Sequence, residues 1–239
     1  MTHRPIAYMT VDAEPDCPPF LWTWRGIDEG LPLLLDLLAD EGVPATFFTT
    51  GGTAEARPEA VTAIVKGGHE LACHGYSHSN FRTLDRDAAR DEITRTNAIL
   101  RAHAPVTSFR APYLSFPEAY VPLLAEAGFA VDSSRGIYKR NEPRHDGDGM
   151  PFRLDASVTS SVLRLPRVLR SPYFHALRSP VTLFVHPWEF VDLSRTGIRL
   201  DCRFRTGQPA LDRLRTTLRW FKARNFQFRL VNEAPALAA

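Results

Sequence analysis

The chain has 239 residues, 44% of them hydrophobic and 23% charged, the composition of an ordinary globular protein long enough for one sizeable core. A formal net charge of +2 gives no electrostatic footprint for nucleic acid. No run reaches the roughly 18 apolar residues that a membrane span needs. Cys17, Cys73 and Cys202 are odd in number and lack C-x-x-C spacing, which argues against a disulfide framework or a zinc knuckle and fits a reducing compartment. The opening "MTHRPIAYMTVD" carries no secretory signal pattern, so the expected location is the cytoplasm.

In chain order, strand-like apolar runs fall at 6–11 (IAYMTV), 44–50 (PATFFTT), 69–73 (HELAC), 106–111 (VTSFRA) and 129–134 (FAVDSS). Three more follow at 161–166 (SVLRLP), 181–186 (VTLFVH) and 226–231 (FQFRLV). Helical spacing separates many of them. "GLPLLLDLLADEG" and "FPEAYVPLLAEAGF" each meet a glycine just past their last apolar residue, a common helix stop. Ala89, Ile93, Thr96 and Leu100 within 85–103 share one face, as do Leu211, Leu214, Leu218 and Phe221 within 209–225. Alternation of this kind predicts an α/β fold with a parallel sheet, closed into a barrel by seven or eight strands. No G-x-G-x-x-G follows the first strand, which disfavours an open dinucleotide-binding sheet. The whole of 1–239 reads as a single domain. The Gly-, Pro- and charge-rich 135–153 reads as a surface excursion, a candidate lid.

In a parallel barrel the chemistry collects at the C-terminal strand ends. Those ends carry, in order, Asp12 with Glu14 and Asp16, then His74 with His78, Arg110, Asp132 and His186. Asp12 and Glu14 are two apart on a strand and share a face, and a divalent cation is the simplest remedy for the repulsion of two such carboxylates. His74 and His78 reach one ion if the chain turns helically after its strand. Two imidazoles and one carboxylate leave coordination positions open, the arrangement of a catalytic metal site. Cys73 is expected to pack away from that site. Arg110, flanked by apolar residues, needs an anion if buried, and pairing with Asp12 would hold that carboxylate ionised as a general base. His186 closes the most apolar strand, with Asp132 as the carboxylate expected to orient it and raise its pKa.

These motifs resemble the polysaccharide deacetylases of the NodB-homology type, carbohydrate esterase family four. "TVDAEPD", "HGYSH", "RAPY", "DSS" and "LFVH" look like that family's five motifs, in order from residue 10 to 186. The resemblance implies a distorted (β/α)7 barrel and a metal-dependent amide hydrolase. It implies Asp12 as base, His74 and His78 as metal ligands, Arg110 as the base's partner, and Asp132 with His186 as the acid pair. The departure is at Ala13, where many members carry a second aspartate. Relatives with D-x-D or D-x-E make Glu14 the third ligand and Asp16 the runner-up.

The implied cofactor is one divalent metal, Zn²⁺ first, with Co²⁺, Ni²⁺ and Mn²⁺ open. Tyr113 is assigned to substrate binding, its backbone N–H to the oxyanion, and Trp188 offers an aromatic face for a sugar ring. "FLWTWRG" could do the same. Arg164, Arg167, Arg170 and Arg178 read mainly as a solvated surface. The expected substrate is an N-acetylated amino sugar in cell-envelope saccharide synthesis. A small-amide or ureide hydrolase and a non-catalytic carbohydrate-binding relative are the alternatives, and oligomeric state is open.

Overall fold

The computed structural model describes residues 4–137 and 149–238. Strand β1 is Ile6–Ala13, followed by α1 (Leu31–Glu41), β2 (Ala45–Thr49), α2 (Gly51–Ala56) and α3 (Pro58–Lys66). Next come β3 (Glu70–Cys73), α4 (Arg86–Arg101), β4 (Ser108–Phe109), α5 (Val121–Glu126), β5 (Val131–Asp132) and β6 (Phe152–Arg153). The chain continues through α6 (Ser160–Leu163), α7 (Arg167–Ala176), β7 (Val181–Val185), α8 (Leu200–Arg203), α9 (Gln208–Ala223), β8 (Gln227–Arg229) and α10 (Ala234–Ala238). Parallel strands alternating with helices make this the expected distorted (β/α)7 barrel. No helix among the described residues is long and apolar enough to cross a membrane.

The residues group into two compact units. The first holds Met1–Ala45 and Ser157–Arg229. Here β1 pairs in parallel with β7, Ala7 opposite Val181 through Val11 opposite Val185, and with β8, Ile6 opposite Gln227. Seven of the eight β1 residues are buried, as a strand covered on both faces requires. Helix α1 begins with Pro32 in its first turn and stops at Gly42, whose φ of 58° is the left-handed conformation that glycine adopts without penalty.

The second unit holds Thr46–Ala156 and Leu230–Ala239, with β2 through β6 paired in parallel in sequence order. Its core contains a cluster of rings. Phe109, which precedes Arg110, lies 5.8 Å from Phe81, 5.2 Å from Phe116 and 5.5 Å from Phe129 between centroids. Edge contacts of that kind add to the area each ring buries and fix the strand end that carries Arg110. Glu70 is buried on β3 and accepts from the Thr46 hydroxyl at 2.6 Å, the Ser108 hydroxyl at 2.5 Å and the Asn232 N–H at 3.0 Å.

Two local expectations are corrected. The 161–166 run forms helix α6 and an exit turn, because its apolar residues Val162, Leu163 and Leu165 do not alternate with period two. A strand, β6, lies inside the expected 135–153 excursion, and Gly136 bridges Ala156 beside it. The centre of the candidate lid, 138–148, lies outside the described residues.

Candidate active site

At the end of β3 the chain does not turn helically between His74 and His78. Gly75 takes φ 71° and His78 takes φ 60°, two left-handed bends that bring the imidazole centroids within 5.4 Å. A non-glycine residue in that region is strained, so something must hold it. Glu92 of α4 does so from below. Its Oε2 accepts the backbone N–H groups of Tyr76 at 2.6 Å and Ser77 at 2.9 Å, and its Oε1 accepts the Ser77 hydroxyl at 2.6 Å. Sequence reasoning missed Glu92, which looks like an ordinary charge on a solvated helix face.

His74 is 1% exposed, and its Nδ1 lies 2.7 Å from the Arg110 carbonyl oxygen. A carbonyl only accepts, so Nδ1 carries the proton and Nε2 presents a lone pair. That is the tautomer of a metal ligand oriented by an outer partner. Cys73 beside it is fully buried, and burial pushes its thiol up to about 12, which removes it as a thiolate ligand.

Arg110 is fully buried. Its Nη2 donates to the Ser133 hydroxyl at 3.0 Å and its Nε to the Ser133 carbonyl at 3.3 Å, with the guanidinium 4.1 Å above the Phe48 ring. Tyr113 follows in a tight turn at φ 61°, 45% exposed, its ring edge-on to His78 at 4.8 Å. Of the two residues assigned to substrate, it is the one with an accessible face.

On the other unit, β1 delivers Asp12 and Glu14, both 4% exposed. Asp16 is engaged by the turn that follows. Its Oδ2 accepts the Arg25 N–H at 2.9 Å and the Thr23 hydroxyl at 2.5 Å, and its Oδ1 accepts the Gly26 N–H at 2.8 Å. A carboxylate spent on two backbone donors and a hydroxyl is a cap, so the runner-up ligand drops out. Glu14 Oε1 instead lies 3.5 Å from the Trp188 indole nitrogen and 3.8 Å from His186 Nε2.

His186 shows the largest departure from expectation. Its Nδ1 lies 2.9 Å from Glu189 Oε1, which also accepts the His186 backbone N–H at 2.8 Å. Glu189 Oε2 in turn pairs with Arg164 Nε at 3.2 Å, both side chains buried. Arg164 is locked by the carbonyls of Asp201 at 2.7 Å, Phe204 at 2.8 Å and Cys202 at 2.9 Å. The orienting carboxylate is therefore Glu189, and the expected pairing of His186 with Asp132 is corrected. Asp132 accepts the Ser134 N–H at 3.0 Å and faces Arg153 Nε at 3.3 Å. Burial lowers the His186 pKa, but the Glu14 charge, the Glu189 hydrogen bond and the Glu189 and Asp12 charges outweigh it and raise it to about 9. The sequence signal for Glu189 was available, an acidic residue at the third position of a turn opened by His-Pro.

Trp188 is 5% exposed and stacks on His186 at 4.8 Å and 22°. Its expected role as a sugar platform is corrected: buried against the imidazole, it positions His186 and Glu14. Phe20 and Trp22 of "FLWTWRG" are the exposed aromatics, at 46% and 54%. Arg164 and Arg170, read as solvated, are buried, whereas Arg167 and Arg178 are exposed.

His74 and His78 in the second unit and Glu14 in the first are all buried. Two neighbouring imidazoles held out of water, at least one in the ligand tautomer, are donors suited to a divalent cation. A family model described as polysaccharide deacetylase matches residues 1–131, more than half of the chain. The chain belongs to the polysaccharide deacetylases.

Several deacetylases of this family resemble it in sequence. A chitooligosaccharide deacetylase of Sinorhizobium fredii is 33% identical over 133 residues, 54% of this chain and 57% of that one. A peptidoglycan-N-acetylglucosamine deacetylase of Bacillus cereus is 35% identical over 106 residues, 43% of this chain and 38% of that one. The chain thus spans little more than half, or less, of these curated relatives. Among solved structures, a peptidoglycan N-acetylglucosamine deacetylase superposes with a TM-score of 0.66 at 22% identity, covering 97% of this chain and 88% of that one. A family 4 pseudoenzyme from Bacillus anthracis gives 0.67 at 18%, covering 98% and 66%. At such identities the likeness establishes the polysaccharide-deacetylase fold and leaves the chemistry to the residues.

Proposed function

We propose that this chain is a metal-dependent N-deacetylase that removes an acetyl group from an N-acetylated amino sugar of a cell-envelope saccharide. The observation that supports it best is the coexistence of a buried, neighbouring histidine pair with a separate histidine whose pKa is raised. A pure binding protein has no use for a proton donor. The reading takes 1–239 as one functional domain. It also places the enzyme in the cytoplasm, in keeping with three free cysteines.

In this reading Glu14, His74 and His78 hold the cation, with Zn²⁺ the first choice for such a donor set. When bound, the ion supplies Lewis acidity and an acidified water. Asp12 accepts the proton of the attacking water, and Arg110 is its proposed partner, fixing the direction of the carboxylate. The amide oxygen, negative in the transition state, finds the Tyr113 backbone N–H as a donor. His186, protonated and held by Glu189, delivers a proton to the departing amine nitrogen so that it leaves as a neutral amine. Asp132 has no direct part: it braces the β5 end through Arg153 and Ser134.

The test is metal analysis of the purified chain together with an acetate-release panel of N-acetylhexosamine oligomers, nucleotide-linked N-acetylhexosamines and ureides. About one divalent ion per chain and acetate from an N-acetylated sugar are expected. Asp12→Asn should keep the metal and lose about 10²–10⁴ in rate. Acetate release unaffected in that variant removes Asp12 as base. No acetate under any divalent metal leaves the non-catalytic alternative, and turnover of ureides alone transfers the site to small amides.

A further inference from the structure

Between α7 and α9 lies a cavity of about 290 Å³ with four arginines in its walls, Arg167, Arg170, Arg219 and Arg224, and no acidic residue among the described residues that line it. Only one of the four spends its charge on a carboxylate among the described residues: Arg219 donates to Glu41, Nε at 2.9 Å and Nη2 at 2.8 Å. Arg170 is 5% exposed and is held by neutral acceptors. Its Nη1 donates to the Thr217 hydroxyl at 2.9 Å and the Leu163 carbonyl at 3.1 Å. Arg224 lies 3.8 Å over the Trp220 ring and donates from Nη2 to His175 Nε2 at 3.3 Å. His175 Nδ1 donates to the Ser171 carbonyl at 2.7 Å, so Nε2 is the accepting nitrogen of a neutral imidazole and offers Arg224 no counter-charge.

Three guanidinium groups therefore share one small cavity with no carboxylate pairing them among the described residues. Arranged positive charge without a counter-ion repels itself, and the remedy is an anion from outside. Burial and the charges of Arg213 and Arg167 hold the Arg170 guanidinium below its ordinary pKa, the direction that an anion would reverse. Several converging guanidinium forks and flanking hydroxyls from Ser171, Thr216 and Thr217 match a group with three acceptor oxygens and nearly two negative charges.

We propose that this cavity binds a phosphate group, carried by a soluble phosphate compound or by an anionic lipid headgroup, at a site built from α7 and α9. The inference stands apart from the deacetylase reading, since none of its residues takes part in that chemistry.

The test is calorimetric titration of the full chain with inorganic phosphate and pyrophosphate at low salt, beside co-sedimentation with phosphatidylcholine vesicles with and without phosphatidylglycerol. The variant is Arg167→Ala/Arg224→Ala, both positions exposed, and Arg86→Ala/Arg90→Ala is the control for net charge. Two lost charge-assisted hydrogen bonds weaken binding at least about tenfold. Weakening of phosphate or pyrophosphate binding in the variant alone assigns a soluble source, and weakening confined to phosphatidylglycerol vesicles assigns a headgroup. Acetate release from a small N-acetylated sugar should be unchanged in the variant. The proposal is overturned if neither probe binds, if the variant binds like the parent, or if the control loses as much as the variant.

Discussion

The two strand ends that carry histidines are built on opposite plans. After β3, His74 donates its Nδ1 proton to a neutral carbonyl, that of Arg110. After β7, His186 donates the corresponding proton to a carboxylate, Glu189, with a second carboxylate, Glu14, 3.8 Å from its other nitrogen. A carbonyl fixes the tautomer and leaves Nε2 to face the site, as the proposed ligand role needs. A carboxylate stabilises the imidazolium, as the proposed acid role needs. The two proposed roles of one side-chain type follow the charge of the atom behind each ring.

The sharpest way to break this contrast is to remove a ring on the ligand side. His74→Ala should strip the metal and take acetate release below detection, measured by metal analysis and acetate assay on one preparation. Retention of one ion per chain in that variant would show the cation sits elsewhere. Glu92→Ala asks the same of the loop. It deprives two backbone N–H groups of their acceptor and frees the left-handed bend at His78. An outer support of this kind is worth about 10–100-fold in metal affinity, read by chelator competition. Unaltered affinity would make Glu92 a bystander.

The fold and the burial of most candidate site residues were legible because both rest on local patterns. Apolar runs ending in Asp12, His74, Arg110 and His186 mark the ends of β1, β3, β4 and β7. What was not legible depended on how side chains are directed, some of them distant in sequence and some only two or three residues away. Arg164 is one arginine among many until the carbonyls of 201–204 enclose it and Glu189 pairs with it. Trp188 looks like a platform until its face is found against His186. Asp132 and Glu189 both suit the role of orienting carboxylate, and sequence gives no distance from His186 to choose between them. Only the Glu at the third turn position after His-Pro carries a local signal, weak by itself.

The acid side of the contrast is open to a pH test. As the proposed acid, His186 would act while protonated, so activity should hold below its pKa and fall as pH rises through it. That alkaline limb lies at or below about 9, because a cation on Glu14 offsets part of the charge that raises the group. Glu189→Gln keeps a hydrogen-bond acceptor at the same place and removes the charge, and the limb should move down by about one unit, about tenfold in the protonated fraction above it. Metal content should not change in that variant, since the Glu189 carboxylate bonds His186 and Arg164 and none of the three proposed ligands. An unmoved limb would assign the acid to another group.

The smallest effect concerns the backing of that same turn. Gly30 lies so close beneath it that an added Cβ would sit 2.2 Å from the Pro187 carbonyl oxygen, a backbone atom with no side-chain freedom to yield. Gly30→Ala should therefore cost about 1–3 kcal/mol through overpacking, a fall of about 2–4 °C in Tm for each kcal/mol in a chain of this size. The displaced atom belongs to the residue after His186, so the variant should also weaken the His186–Glu189 contact and carry a smaller version of the Glu189→Gln shift in the alkaline limb. Metal content should stay at the parent level, because the His74 and His78 loop rests on Glu92 and not on this turn. A loss of metal equal to the loss of stability would mean that the two strand ends are not the separately braced structures their contacts describe.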